Sequence, residues 1–97
     1  MLEKDFQAKL IKRLEQTFPD AIILKNDANY KQGIPDLLIL YQNRWATLEC
    51  KVSSHASRQP LQNYYIDTMA RMSYAAFIYP DNEDTIIDEL IIFFGKD

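Results

Sequence analysis

Two apolar runs separated by a short polar break constrain the fold of this chain more than any other feature. The runs are residues 34–41 and 45–52, and Gln42-Asn43 separates them. A polar break of this length between apolar runs is typical of a β-hairpin. Residues 37–40 are apolar on both faces of the predicted strand, as in strands at the centre of a sheet. We therefore expect this hairpin to lie centrally in the fold.

The register of the predicted hairpin brings charged side chains together. If Tyr41 faces Arg44 across the turn, the same register places Asp36 opposite Glu49. Lys51 is two residues beyond Glu49, so both side chains point to one face. Opposed carboxylates repel each other and destabilise a sheet, and we interpret the cluster as a functional site. The alternative is a structural ion cluster at the end of the sheet.

The groups in this cluster are typical of metal-assisted phosphate chemistry. Asp36 and Glu49 supply carboxylate oxygens, the hard ligands that Mg²⁺ or Mn²⁺ binds, and the main-chain carbonyl of Cys50 can add another. Such a metal polarises a phosphate and lowers the pKa of a bound water. We expect Lys51 to orient the attacking water or to offset charge on the reacting phosphate.

The first predicted helix offers a further acid. Glu3 falls near the centre of its apolar stripe, while Glu15 lies well to one side. An inward acid needs a partner or a metal, so Glu3 is a candidate to complete the site. The alternative is that Glu3 lies at a frayed helix end and only favours the helix dipole. The stripe itself comprises Leu2, Phe6, Leu10, Leu14 and Phe18.

The remaining pattern completes an αβββαβα order. Helices are predicted over residues 2–18, 61–72 (opened by Pro60) and 85–94, the last capped by Asp81 or Asn82. Strands are predicted over 21–25 and 74–79, beside the hairpin. We expect one α/β domain over residues 1–97, with a mixed central sheet flanked by helices. The last helix has more apolar residues than one buried stripe requires, so we expect it to contribute both to the core and to a subunit interface. These residues are Ile86, Ile87, Leu90, Ile91, Phe93 and Phe94.

Composition excludes several other classes. The sequence contains no run of about 18 apolar residues, so we expect no membrane-spanning helix. Its one cysteine, Cys50, cannot form an internal disulfide. A reducing cytoplasm, bacterial or of a phage-infected host cell, is the expected setting. The net charge of −3 is concentrated at the C-terminal end, and residues 1–80 carry a net charge of +2. Binding to DNA would then depend on local basic patches and metal.

Two short motifs resemble a known family. Gly33-Ile34-Pro35-Asp36, followed by Glu49-Cys50-Lys51, resembles the PD-(D/E)XK nuclease superfamily. More narrowly, it resembles the VRR-NUC and junction-resolvase-like branch, which includes small phage-encoded endonucleases. The resemblance extends over almost the whole chain. It implies a restriction-endonuclease-like core and magnesium-dependent cleavage of DNA, frequently by a homodimer on branched or Holliday-junction DNA.

The resemblance also implies roles for individual residues. The helix-1 acid of the family maps best to Glu3, and the catalytic acids and lysine map to Asp36, Glu49 and Lys51. A glutamine that opens the next helix, often near the active site, maps to Gln62, with Gln59 as a less favoured choice. We assign Gln62 to DNA contact. Residues 1–97 depart from the larger cellular members of the family, since we expect neither their accessory domains nor a basic tail for junction binding within this sequence.

Basic side chains outside the cluster are candidates for phosphate contacts. Lys25, Lys31, Arg58 and His55 are the residues that we assign to this role, although each is also compatible with an ordinary solvated surface. The function expected from the sequence is a metal-dependent endodeoxyribonuclease acting on branched DNA. The alternatives are a flap or nicking nuclease of replication or repair, and a non-catalytic nucleic-acid-binding module with the same fold.

Overall fold

The order of helices and strands is the predicted αβββαβα order. The computed structural model describes residues 1–96, and a short 3₁₀ turn over Pro80–Asn82 precedes the last helix. The helices are α1 (Glu3–Thr17), α2 (Pro60–Met72) and α3 (Glu83–Phe94), and the strands are β1 (Ile22–Lys25), β2 (Leu37–Tyr41), β3 (Arg44–Cys50) and β4 (Tyr74–Ile78).

The four strands form one mixed sheet in the order β1-β2-β3-β4. Neighbouring strands are antiparallel from β1 to β3, and β4 joins β3 in parallel after the crossover through α2. Tyr41 pairs with Arg44 and Leu37 pairs with Leu48, which confirms the predicted hairpin register. β2 and β3 are the two central strands.

The two faces of the sheet are covered by different helices. On one face, α1 and α3 pack over the inward residues of the central strands. On the other face, α2 packs against β3 and β4 and buries Ile66. Helices therefore flank both faces, as predicted. The core between α1, α3 and the sheet includes Phe6, Leu10, Leu14, Phe18, Leu37, Ile39, Ala46, Leu48, Ile78, Ile86, Ile87, Leu90 and Phe94.

The start of α3 differs in detail from the prediction. The helix begins at Glu83, two residues earlier than expected, and Asn82 occupies the N-cap position without a side-chain capping bond. The Asn82 side chain turns back instead. Its Oδ1 accepts from the Tyr79 N–H at 2.8 Å, and its Nδ2 donates to the Phe77 carbonyl at 3.1 Å. Asn82 thus fixes the turn that leaves β4.

Both ends of the long loop between β1 and β2 are held in place. Asn26 donates through its backbone N–H to the Asp36 carbonyl and through Nδ2 to the Pro35 carbonyl, each at 2.8 Å. Gly33 has φ +84°, and a Cβ placed there would lie 2.4 Å from the Leu61 Cβ. Only glycine therefore permits the loop to approach the first turn of α2 this closely.

The apolar residues of α3 are used mainly inside the molecule. Ile86, Ile87, Leu90 and Phe94 belong to the core, whereas Ile92 is 79% exposed. A subunit interface on α3 therefore has little apolar surface available, because packing against the sheet consumes the apolar excess seen in the sequence.

A larger exposed apolar surface lies on the other side of the molecule. Ile22 and Leu24 on β1 pair with Leu40 and Leu38 on β2, so these side chains point to the same sheet face. Ile22 is 59% exposed and Leu24 44% exposed. A groove continues this surface towards the C-terminal end of α2, lined by Leu38, Leu40, Trp45, Met69 and Met72. We call these residues together the sheet-face surface.

Membrane insertion through a helix finds no support in the structure. Across residues 1–96, every helix is too short or too polar to span a bilayer.

Candidate active site

The predicted cluster of charged residues forms at one end of the central hairpin. Asp36 lies immediately before β2, and Glu49 lies near the end of β3. The Asp36 backbone N–H donates to Glu49 Oε1 at 3.2 Å, and the Cys50 N–H donates to Asp36 Oδ2 at 2.9 Å. Lys51 Nζ is 3.9 Å from Glu49 Oε2. The structure thus brings Asp36, Glu49 and Lys51 together.

Gln62 connects this cluster to α2. Its Nε2 donates to Glu49 Oε2 at 2.9 Å, and its Oε1 accepts from Lys51 Nζ at 2.8 Å. The same Oε1 also accepts from the Gln59 backbone N–H at 3.0 Å. Gln62 therefore contacts Glu49 and Lys51 directly, whereas Gln59 contributes a backbone group. Gln62, which the sequence predicts to contact DNA, thus lies within the cluster itself.

Lys51 is held by two acceptors although it is almost fully buried. Besides Gln62, its Nζ donates to the Ser57 carbonyl at 2.9 Å, and the residue is only 7% exposed. Burial of an ammonium is costly unless it is paired and hydrogen-bonded. The contact with Ser57 could not be predicted from the sequence, because its acceptor is a main-chain carbonyl, which every residue type carries.

Burial makes both acids hard to ionise, and repulsion adds to this effect for Glu49. Glu49 is 3% exposed, and burial together with the nearby Asp36 carboxylate raises its pKa to about 8, against the opposing effect of Lys51. Burial also raises the pKa of Asp36, while the Cys50 N–H and Lys51 act in the opposite direction. A pair of acids in this state is energetically costly when charged and gains from a nearby cation.

Glu3 lies at the edge of the cluster and is exposed to solvent. It is the first residue of α1, and the buried stripe begins only at Phe6, so Glu3 is less buried than its place in the predicted stripe suggested. Its carboxyl interacts electrostatically with the cluster. Partial burial and the Asp36 carboxylate raise the pKa of Glu3, whereas the Lys51 ammonium lowers it. Glu15 lies about three turns further along α1 and is also exposed.

The donor groups fit a hard divalent cation, although they form no ready-made cage. Within residues 1–96, no group of three or more His, Cys, Asp and Glu side chains is placed to hold a metal ion. Asp36 and Glu49 form a pair of carboxylates, and a hydrogen-bonded carboxylate oxygen keeps a second lone pair. Carboxylate and carbonyl oxygens are the donors that Mg²⁺ prefers. The donor set therefore matches Mg²⁺ in chemistry.

Cys50 can contribute only through its main chain. Its side chain is fully buried in the core, and burial raises the pKa of the thiol, so it is neutral and unsuited to metal ligation. Its N–H points at Asp36. In a strand the N–H and C=O of one residue point to the same side, so the Cys50 carbonyl is expected on the side of Asp36.

Among the predicted phosphate-contacting residues, Lys25 lies beside the cluster. Lys25 ends β1 opposite Leu37, next to Asp36, and its charge lowers the pKa of that acid. Lys31 and His55 are exposed in the two polar loops. The Arg58 guanidinium lies 4.0 Å from the centre of the Phe77 ring, a cation–π contact.

Comparison with known proteins identifies one informative structural likeness. No protein-family model and no curated protein matches the sequence. A solved structure described as a "VRR_NUC domain protein" superposes with a TM-score of 0.72 at 19% sequence identity, covering 96% of this chain and 90% of that chain. The chain shares its fold with that protein.

The shared backbone arrangement extends along nearly the whole chain. The likeness covers α1, the hairpin and α2 together, because it extends over 96% of the residues. At 19% identity it concerns the backbone arrangement. The roles of individual side chains must therefore be argued from the contacts of this chain.

Proposed function

We propose that this protein is a metal-dependent endodeoxyribonuclease that cleaves branched DNA as a homodimer. The observation that carries the proposal is the meeting of Asp36, Glu49 and Lys51 at one end of the hairpin, where Glu49 lies 3.9 Å from the Lys51 ammonium. The VRR-NUC fold of a structural neighbour supports a nuclease function. Two carboxylates held together inside a protein are energetically costly, and catalysis gives a reason to keep them.

The proposed metal ligands are the carboxylates of Asp36 and Glu49 and the carbonyl of Cys50. The metal, Mg²⁺ with Mn²⁺ as a substitute, would supply Lewis-acid polarisation of a phosphate and a water of lowered pKa. Glu3, at the edge of the cluster, would act through a water or a second metal. Its exposed position at the start of α1 gives it access to solvent and substrate.

Lys51 is proposed to act on the reacting phosphate or the attacking water. An ammonium has three donors, and two of those of Lys51 are used by Gln62 and Ser57. A donor therefore remains for substrate. Because Gln62 fixes both Lys51 and Glu49, we assign Gln62 a positioning role in addition to any contact with DNA.

Basic residues around the cluster are proposed to bind the phosphate backbone. Lys25 lies beside Asp36, and Lys31, His55 and Arg58 lie on the loops that border the site. Such contacts orient the duplex without reading its sequence. Their small number suits a protein that recognises the shape of a branch.

The decisive experiment compares cleavage of a four-way junction with cleavage of a matched linear duplex. Wild-type protein is expected to release product in Mg²⁺ and none in EDTA, with faster cutting of the junction. Lys51→Ala should lose cleavage by at least about a hundredfold, as for loss of a preorganised electrostatic group. Lys12→Ala, which removes an exposed lysine of α1, is the matched control and should cut normally. Equal cutting of both substrates would remove the claim of branch selectivity, whereas failure to cut either in Mg²⁺ or Mn²⁺ would remove the nuclease proposal.

A non-catalytic DNA-binding module is the second candidate, and one observation favours it. Both Glu49 oxygens already accept hydrogen bonds inside the protein, from Asp36 and from Gln62. A cluster satisfied in this way can also be purely structural. Metal-independent junction binding with no product in Mg²⁺ or Mn²⁺ would favour this candidate.

The homodimer is proposed to form through the sheet-face surface defined above. Exposed apolar side chains on β1 and at the end of α2, including Leu24 at 44% and Met72 at 69%, gain free energy when a second copy covers them. A two-fold axis would then relate two active sites, which suits paired cuts in a symmetric branch.

A further inference from the structure

A cavity of about 370 Å³ opens beside the candidate active site. One wall is the loop between β1 and β2, and the other is the first turn of α2. Its size falls in the range of small-ligand sites, roughly 300–1,000 Å³. The lining residues are Ala28, Gln32, Gly33, Gln59, Pro60, Leu61 and Gln62.

Two contacts tie this cavity to the charged cluster. Gln62 lines the cavity and also donates to Glu49 at 2.9 Å. Gly33 forms part of the wall through its close approach to Leu61, and it lies three residues before Asp36. A group bound in the cavity would therefore sit directly next to any phosphate held by Asp36 and Glu49.

The lining chemistry selects a neutral, flat and partly polar group. None of the seven lining residues carries a charge, so the cavity offers no cation for a phosphate and no carboxylate for an amine. Gln32 and Gln59 present exposed amides, each able to donate and to accept. Pro60 and Leu61 add apolar surface. Hydrogen bonds to a base edge combined with apolar contact to its face are the usual means of recognising a nucleobase outside the helix.

We propose that this cavity binds one unpaired nucleobase next to the cleaved phosphodiester. The inference rests on the proposed nuclease function and specifies its substrate: DNA with a base free to leave the stack, as at a branch point or flap junction. Extruding a base from intact duplex costs a few kcal/mol, and least where the base is already unpaired. The cavity thereby favours branched DNA over continuous duplex.

The test begins by mapping the cleavage site on a branched substrate in Mg²⁺. Each nucleotide within two positions of the cut is then replaced by an abasic analogue. One replacement should lower kcat/KM at least about fivefold, the lower end of what one stacked base contributes, while the others have little effect. Cleavage that is unchanged by every replacement would overturn the cavity proposal and leave the nuclease proposal intact.

Variants of the cavity then test whether the effect of the abasic replacement arises there. Gln32→Ala and Ala28→Leu, which remove an amide from the cavity and fill it, should each reduce the difference between the normal and abasic substrates. Gln16→Ala removes an exposed amide about 20 Å along α1 from its start and should preserve that difference. If both cavity variants retain the full difference, the base binds elsewhere and the proposal is wrong.

A second measurement separates this proposal from catalysis. DNA carrying 2-aminopurine at the sensitive position is bound by the protein in EDTA, where no cleavage is expected. Fluorescence should rise on binding as the base leaves the stack, and Ala28→Leu should suppress the rise. A rise without any cleavage in Mg²⁺ would retain the cavity as a base-binding site and reject the nuclease proposal. Absence of a rise for wild-type protein that is bound to the DNA would reject the cavity.

Discussion

The Gln62 side chain bridges Glu49 and Lys51, with Nε2 2.9 Å from one Glu49 oxygen and Oε1 2.8 Å from the Lys51 ammonium. One uncharged residue of α2 therefore joins an acid and a base that lie on the same face at the end of β3. The bridge fixes both side chains and supplies polar partners that water would otherwise provide.

Replacing Gln62 should destabilise the protein as well as impair cleavage. Gln62→Ala removes the partner of Glu49 Oε2 and one of the two acceptors of the Lys51 ammonium. We expect the free energy of unfolding to fall by about 1–3 kcal/mol. Urea denaturation measures the change. Gln16→Ala, an exposed glutamine of α1, should shift the free energy of unfolding by less than about 0.5 kcal/mol. Equal stability of Gln62→Ala and wild type would show that the bridge contributes nothing to the fold.

Without metal, the protein should become less stable as the pH rises. Burial raises the pKa of Glu49 from its ordinary value of 4.5 to about 8 in the folded state. Between these two values the folded state therefore binds more protons than the unfolded state. The free energy of unfolding should then fall by up to about 1.4 kcal/mol per pH unit. Urea melts in EDTA at about pH 5, 6 and 7 test this.

Glu49→Gln supplies the control for the pH experiment. It keeps the shape of the side chain but cannot ionise, so most of the slope should disappear. It should also be more stable than wild type at about pH 7. At that pH, folding of the wild type requires Glu49 either to take up a proton or to bury a charge, whereas the amide requires neither. A slope that is the same in both proteins would assign the pH dependence to other groups.

Mg²⁺ should stabilise the folded protein through Asp36 and Glu49. At a concentration of ten times its Kd, a ligand that binds only the folded state adds about 1.4 kcal/mol, or roughly 5–10 °C in Tm for a domain of this size. Differential scanning fluorimetry with increasing Mg²⁺ measures the shift. Asp36→Asn should abolish it, while Asp20→Asn, an exposed acid after α1, should retain it. A shift that survives in Asp36→Asn would place the metal elsewhere.

Size-exclusion chromatography with light scattering tests the proposed dimer. Wild-type protein is expected to have twice the monomer mass at micromolar concentration, and Leu24→Asp should give a monomer by burying a charge in the sheet-face surface. Ile92→Asp changes an exposed residue of α3 and should remain dimeric. A dimeric Leu24→Asp together with a monomeric Ile92→Asp would favour the α3 interface predicted from the sequence. A monomeric wild type would contradict both proposed interfaces.

The sequence predicted those parts of the site that follow from local geometry. The turn at Gln42-Asn43 fixes the hairpin register, and that register determines that Asp36 meets Glu49. Strand alternation in the same way places Lys51 beside Glu49. These relations extend over fewer than twenty residues and need only one turn to be correct.

The remaining parts depended on packing between distant segments. The contact of Gly33 with Leu61 and the bond from Lys51 to the Ser57 carbonyl involve loops whose paths carry no periodic pattern. Helix periodicity gave the direction of Glu3 but not its burial, because little of the protein covers the first residue of α1. The apolar excess of α3 could not be divided between core and interface without knowing which sheet face it covers.

The close approach of Gly33 to Leu61 has a consequence for how this protein can vary. Any side chain at position 33 would push the loop away from α2, and the displacement would pass through two residues, one of them a rigid proline, to Asp36. A change that touches no reacting group would thus misalign the carboxylate on which the chemistry depends. Mutational tolerance at this glycine should consequently resemble that of a residue in the reaction centre, although it has no functional group of its own.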